Sequence, residues 1–173
     1  MKPFFFFLAI TISSSSFAQN TFFKTFGGTS NDICASGDEI KTGNKGFLIN
    51  GYTNSFGSGG NDGYLVRLDY SGNLVWSKTI GGNFSDAINA VVSKSNGQII
   101  VGGGYAFNSS NSSTDAFVGE LDSMGNLLWS KTYGNASGLD NVTILKVASN
   151  NEILITGLSE SIQPGGMRDV TAM

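Results

Sequence analysis

The chain has no histidine, one cysteine, two prolines and few charges, 13 % in all. Each shortage excludes something. Without histidine the usual general base and the commonest metal ligand are missing. Cys34 has no second cysteine to pair with, and with no imidazole to activate it, it makes a poor nucleophile. Its expected role is that of a small buried apolar residue. Ten basic residues against thirteen acidic ones give a net charge of −3, so there is no electrostatic footprint for nucleic acid and no polybasic attraction to anionic lipid. Scarce proline and no strict glycine period exclude collagen. A long helix or coiled coil would show an Ala/Glu/Lys/Leu bias that is absent.

What is present points elsewhere. Gly, Ser and Asn number 24, 23 and 17 of 173 residues, yet 40 % of the chain is hydrophobic. Disordered chains lack such apolar content, so the composition fits many short strands joined by tight turns.

The first eighteen residues have the form of an export signal. Lys2 supplies a positive start, and Phe4 to Ile12 is an apolar run of nine, short of the roughly 20 residues that span a bilayer. Ser16-Phe17-Ala18 places small residues on the near side of a cut after Ala18. The expectation is an exported chain beginning at Gln19, with no membrane span after cleavage. No cysteine stands at that cut, which argues against a lipoprotein.

From Phe22 onward the sequence repeats. "FFKTFGG", "WSKTIGG" and "WSKTYGN" begin at Phe22, Trp76 and Trp129, spaced by 54 and 53 residues. Asp32, Asp86 and Asp140 follow in register, then Gly51, Gly103 and Gly157 at the ends of apolar runs, then Asp62, Asp115 and Asp169. Two copies close on "LDYSGNLVW" and "LDSMGNLLW". The copies are Phe22–Val75, Trp76–Leu128 and Trp129–Met173, the third about eight residues short.

Each copy reads as four strands. In the second copy these are "NLVWSKTI", "AINAVVSK", "QIIVGG" and "DAFVGELD" in that order. "SNGQ" and "SNNE" form turns, and in "DYSGN" and "DSMGN" Asp69 and Asp122 cap a turn whose left-handed position falls to Gly72 and Gly125. Four antiparallel strands in about 53 residues is the size of one propeller blade. A β-solenoid is the alternative, but its coils repeat at roughly 20–30 residues. The expected fold is all-β, an open arc of a β-propeller with nearly three blades, in which Phe22, Trp76 and Trp129 pack between blades. Closed propellers have about four or more blades, so the expectation is the N-terminal part of a longer protein.

The pattern W-S-K-T-x-G-G, Asp, a Gly-ended apolar strand, then D-x-x-L-V-x-L-D-x-x-G-N-x-x-W resembles the secreted propeller repeats of Bacteroidota called SBBP-like or delta-60-like. The resemblance covers nearly all of Asn20 to Met173 and implies an exported or surface protein, often cargo of type IX secretion. This chain departs from the pattern at Phe22, in two extra residues near Gly37–Glu39, and at Asn135.

A residue present in every copy serves something every blade needs. The two aspartate series are therefore expected to hold backbone N–H groups at strand starts and turns, with metal or ligand contact as the lesser alternative. Neither catalytic residues, nor a metal site, nor a cofactor is expected. Non-recurring charges are Asp38, Glu39, Arg67, Glu120, Glu160 and Arg168. The loops "YTNSFGSGGN", "GYAFNSSNSST" and "LSESIQPGGMR" diverge, fall on one rim, and offer Phe56, Tyr105 and Phe107 as ligand contacts. The expected function is binding of an extracellular glycan or protein, or surface scaffolding. The alternative is a carbohydrate-active propeller enzyme whose catalytic carboxylates lie in this stretch, with Asp38 and Glu39 as candidates, or in further blades.

Overall fold

A computed structural model of the chain describes residues 23–106, 113–134, 138–160 and 169–172. The segment 1–18 expected to be an export signal, with Phe22, Phe107, Asn135 and Arg168, lies outside the described residues. Among those described there are twelve strands. Strands β1 (Asp32–Ile40), β2 (Gly46–Thr53), β3 (Asp62–Leu68) and β4 (Leu74–Ile80) form one antiparallel sheet in that order. The second sheet joins β5 (Ala87–Ser93), β6 (Ile99–Ala106), β7 (Ser113–Leu121) and β8 (Leu127–Tyr133) in the same way. The short β9 (Gly138–Leu139) adds to it in parallel beside β7. The third contains β10 (Asn141–Val147), β11 (Ile153–Ser159) and β12 (Asp169–Ala172).

The all-β fold of antiparallel four-stranded sheets agrees with the sequence reading, but the grouping of strands does not. The "WSKT" segment does not open a sheet. As β4 and β8 it closes the preceding one. The cause is local. Asp69 accepts from the N–H groups of Ser71 and Asn73 at 2.8 Å each, and Gly72, at φ 75°, turns the chain back. Asp122, with Met124, Asn126 and Gly125, repeats the turn. So short a loop closes at small entropic cost, which fixes β4 on β3 and β8 on β7. These outer strands carry Lys78 and Lys131, and β8 is exposed along its length. Lysines on an edge strand discourage pairing with foreign strands.

The second sheet is sandwiched, so its central strand is apolar on both faces. Ile99 and Val101 of β6 pack with Ile40, Leu48 and Leu65 of the first sheet. Ile100 turns the other way, packing with Val142, Leu145 and Ile155 of the third. Complete burial of such a side chain contributes about 1.5–3 kcal/mol. This alternation along one strand holds the three sheets as successive layers.

The first strand of every sheet carries a β-bulge at the same place. Pairing skips Ala35 between Cys34 and Ser36, Asn89 between Ile88 and Ala90, and Thr143 between Val142 and Ile144. The bulge bends the backbone onto the neighbouring strand. As a result the carbonyl oxygens of Ile33, Ala87 and Asn141 would lie 1.8, 1.8 and 1.9 Å from a Cβ on Gly51, Gly103 and Gly157. No side chain fits there, which accounts for the recurrence of this glycine.

Candidate functional site

The two ends of the sheets differ. One carries the hairpin turns around Asp69 and Asp122. The other carries the β2–β3 loop and the linkers between sheets, and there the recurring aspartates gather.

Asp32 anchors the first loop. It accepts from Gly28 N–H and Ser55 Oγ, each at 2.8 Å, and from the Thr53 hydroxyl in a short hydrogen bond. Thr53 Oγ1 in turn accepts from the N–H groups of Ser55 and Phe56 at 3.0 and 3.3 Å. Burial works to raise the Asp32 carboxyl, but these donors outweigh it and hold the group below the usual carboxylate range. From the other side Asp62 accepts from Ser58 N–H at 2.9 Å. The loop also docks on the linker of the next sheet, through Asp86 N–H to Asn61 O at 2.7 Å and Gly60 N–H to Phe84 O at 3.3 Å. A loop tied at both ends and along one side presents its remaining side chains in a fixed arrangement.

Asp86 accepts from Gly82 N–H at 2.6 Å and Ala106 N–H at 2.8 Å. Asp140 accepts from Glu160 N–H at 3.1 Å. Each of these meets an aspartate of the preceding sheet. Asp62 and Asp86 converge beside Gly81, and Asp115 and Asp140 beside Gly134, 53 residues later. All four are buried. Burial raises the Asp62 carboxyl, partly offset by Ser58 N–H and reinforced by the Asp86 charge. Burial and the Asp140 charge likewise raise Asp115. Asp169 opens β12 opposite Ser159, as Asp62 opens β3 opposite Thr53.

Among the described residues no three His, Cys, Asp or Glu side chains converge where they could hold a metal ion. The Asp86 carboxylate points both oxygens at backbone N–H groups, which suits a fixed anion and not a ligand for a cation.

The proposed aromatic contacts separate. Phe56 is exposed on the rim and leans on Tyr64, ring centres 5.7 Å apart. Tyr105 is half-buried and packs against the core between the first two sheets, its hydroxyl reaching the linker at Gly82. Trp76 packs on the same core and donates from Nε1 to Ser123 O of the next sheet at 3.2 Å. Trp129 is more exposed and donates instead to Glu120 Oε2 within its own sheet, at 2.6 Å.

Asp38 and Glu39 do not converge. As neighbours on a strand they point to opposite faces. Asp38 accepts from Ser93 N and Oγ at 2.8 and 2.9 Å, while Glu39 accepts from the Tyr70 hydroxyl at 2.8 Å. Arg67 and Glu120 hold equivalent places on β3 and β7. Arg67 donates to Asn44 O in a short hydrogen bond, and Glu120 pairs with Lys94 at 2.9 Å.

A second polar system was not foreseen from the sequence. Asn50, almost wholly buried, donates to Ile88 O at 2.9 Å and accepts from Ser36 Oγ at 2.8 Å. Asn89 donates onward to Asn141 Oδ1 at 2.6 Å and Val142 O at 3.2 Å. These bonds run from sheet to sheet along the bulged first strands. The available signal was Asn50 itself, an amide set inside the apolar run "FLING".

Cys34 is exposed, against the expectation of burial. Its equivalents Ile88 and Val142 are each covered by a preceding sheet, and Cys34 stands on the first sheet, where among the described residues no sheet precedes it.

Successive antiparallel four-stranded sheets, bridged by polar groups and carrying divergent loops at one end, define a β-propeller-like, WD-repeat-like architecture. Comparison with known proteins agrees at that level. No protein-family model matches the chain. An uncharacterised WD repeat-containing protein of Acanthamoeba polyphaga mimivirus is 28 % identical over 109 residues, covering 54 % of this chain. The chain spans 8 % of that relative's length.

Proposed function

We propose that this chain is an exported β-propeller repeat module that binds an extracellular glycan or protein through its loop rim. Surface scaffolding is its second use. The observation that carries the reading is the anchored first loop. Asp32, Thr53 and Asp62 hold it with at least three backbone N–H groups, yet Phe56 at its tip faces solvent. A rigid frame under a sequence-variable, aromatic-bearing loop is a binding design. The leader and the resemblance to SBBP-like repeats of Bacteroidota support export, with type IX secretion as the route that resemblance implies.

The test is a glycan and secreted-protein array probed with the full chain. The reading expects a ligand whose binding weakens at least tenfold in Phe56→Ala, with the fold retained. Binding unaffected by that change, or absent across the array, removes the rim as the site.

A further inference from the structure

The loop end of the first two sheets is made by three segments, 27–31, 54–61 and 81–85, and none of them holds Lys, Arg, Asp or Glu. The charges that flank them turn inward. Asp32, Asp62 and Asp86 accept hydrogen bonds from backbone N–H groups of these same segments. The lysines nearest in sequence go the other way. Lys24 Nζ donates to Asn73 Oδ1 at 3.1 Å, and Lys78 Cε passes 3.2 Å from where a Cβ on Gly125 would lie, beside Asp122. Both ammonium groups are thus drawn to the hairpin end.

What the loop end presents is amide, hydroxyl and one aromatic ring. Asn31, Asn54, Ser58 and Asn83 are exposed, and among the described residues none of their side chains enters a hydrogen bond. Their backbone is fixed all the same. Asn54 N–H donates to Asn31 O at 2.9 Å, and Ser30 N–H to Ser55 Oγ at 2.9 Å. On the other side a Cβ on Gly59 would fall 2.2 Å from Asn83 O, so the loop lies directly on the linker. Phe56, in the same loop, is 45 % exposed while its Cζ sits 3.2 Å from where a Cβ on Gly28 would lie.

This chemistry selects among ligands. An asparagine amide both donates and accepts, so it pairs with a sugar hydroxyl in either sense. The C–H face of a sugar ring packs on an exposed aromatic ring. Groups already held by the backbone lose little freedom on binding. A carboxylated or sulfated glycan calls for Lys or Arg opposite its anions, and the three segments have neither. Protein interfaces centre on Trp, Tyr and Arg, which the segments also lack.

We infer, on the footing that the rim is a binding surface, that the loop end between the first and second sheets takes an uncharged glycan, with a sugar face on Phe56 and hydroxyls on Asn31, Asn54 and Asn83.

The experiment immobilises three sets of probes and measures binding of the full chain by biolayer interferometry. The uncharged set is mixed-linkage glucan, galactomannan and arabinoxylan. The acidic set is alginate, polygalacturonate and chondroitin sulfate, and the third set is secreted proteins. Binding is expected in the uncharged set alone. It should change less than about twofold between low and high salt, because no ion pair is there to be screened. Asn54→Ala and Asn83→Ala should each weaken it about fivefold or more. Both replace exposed side chains, so the fold is retained, as circular dichroism checks. An acidic glycan or a protein bound in a Phe56-dependent way, with no uncharged glycan bound, would overturn the inference and leave the rim as a binding surface. An uncharged glycan bound equally well by both asparagine variants would also overturn it. Binding in no set, or binding that ignores Phe56→Ala, would remove the rim reading as well.

Discussion

Asp62 and Asp86, on consecutive sheets, face each other across Gly81: Asp62 Oδ1 lies 2.2 Å, and Asp86 Oδ2 2.8 Å, from the point a Cβ on that glycine would occupy. Gly134 holds Asp115 Oδ1 and Asp140 Oδ2 in the same way, at 2.5 Å each. Burial, reinforced by the neighbouring Asp86 charge, raises the Asp62 carboxyl, and burial with the Asp140 charge raises Asp115. Asp86 accepts two backbone N–H groups, from Gly82 and Ala106, and Asp62 accepts that of Ser58.

The first prediction follows from the raised Asp62 carboxyl. The Asp62 carboxyl is raised in the fold, so the folded chain binds a proton more readily than the unfolded chain. Its contribution to stability is full below the ordinary value of 3.8 and is lost as pH rises through the raised value. Asp32, held low, runs the other way and loses its contribution as pH falls. The measurement is therefore a difference. Thermal melts of Asp62→Asn against wild type should show the variant gaining relative stability as pH rises from the acid range to neutral. Parallel melting curves across that range would mean that the Asp62 carboxyl is not raised by the fold.

The bulge makes a second prediction. A Cβ on Gly103 would sit 1.8 Å from Ala87 O, a backbone atom that cannot move without undoing the bulge. Gly103→Ala should cost roughly 3 kcal/mol or more in urea unfolding, toward the large end for single substitutions. A loss under about 1 kcal/mol would mean that the strand shifts freely and the bulge is not what selects glycine.

Asn50 supplies a third. Asn50→Ala removes the donor to the buried Ile88 carbonyl and the acceptor of Ser36 Oγ. Leaving such groups unpaired costs about 1–3 kcal/mol. The loss should appear in unfolding midpoint, together with faster amide exchange in β5, the strand that Asn50 grips from the first sheet.

Phe56 provides the contrast. Its ring is exposed and touches Tyr64, so Phe56→Ala should change stability by less than about 1 kcal/mol while weakening ligand binding. A large stability loss would make Phe56 a packing residue.

The leader can be tested by export. Expressed with residues 1–18 intact in a secreting bacterium, the chain should be recovered outside the cytoplasm with Gln19 at its N-terminus. Retention in the cytoplasm with Met1 in place would refute the export reading.

Period, strand identity and turn chemistry were all legible in the sequence, because each is a local property. Alternation marks a strand, and Asp69 with Gly72 marks its own turn. Phase was not legible. A repeat of 53 residues looks the same wherever it is cut, and only hydrogen bonding assigns "WSKT" to the sheet before it. The recurrence of Gly51, Gly103 and Gly157 was visible, but its cause lay in a bulge on another strand. The two aspartate series were read separately, whereas the fold joins Asp62 to Asp86 and Asp115 to Asp140. Cys34 misled for the same reason. Whether a small apolar residue is buried depends on what lies across from it, and the chain pattern names only its neighbours on the strand. Of the candidate rim, the anchoring of the loop by Asp32 was foreseeable in kind, and the retreat of Tyr105 into the core was not.

Because the outer strand is closed by its own hairpin, the four strands of each complete sheet among the described residues are consecutive in the chain, and the two-residue β9 alone crosses to the sheet before it. Asp32–Ile80 is thus a self-contained parcel, joined to its successor through the short linker 81–86. A gene can lengthen such a protein by copying whole parcels, and each copy arrives with its bulge glycine and both of its aspartates already in place. Only the loops at one end are released from that inheritance. An array built this way can diversify what it touches while its parts keep packing through the same apolar positions.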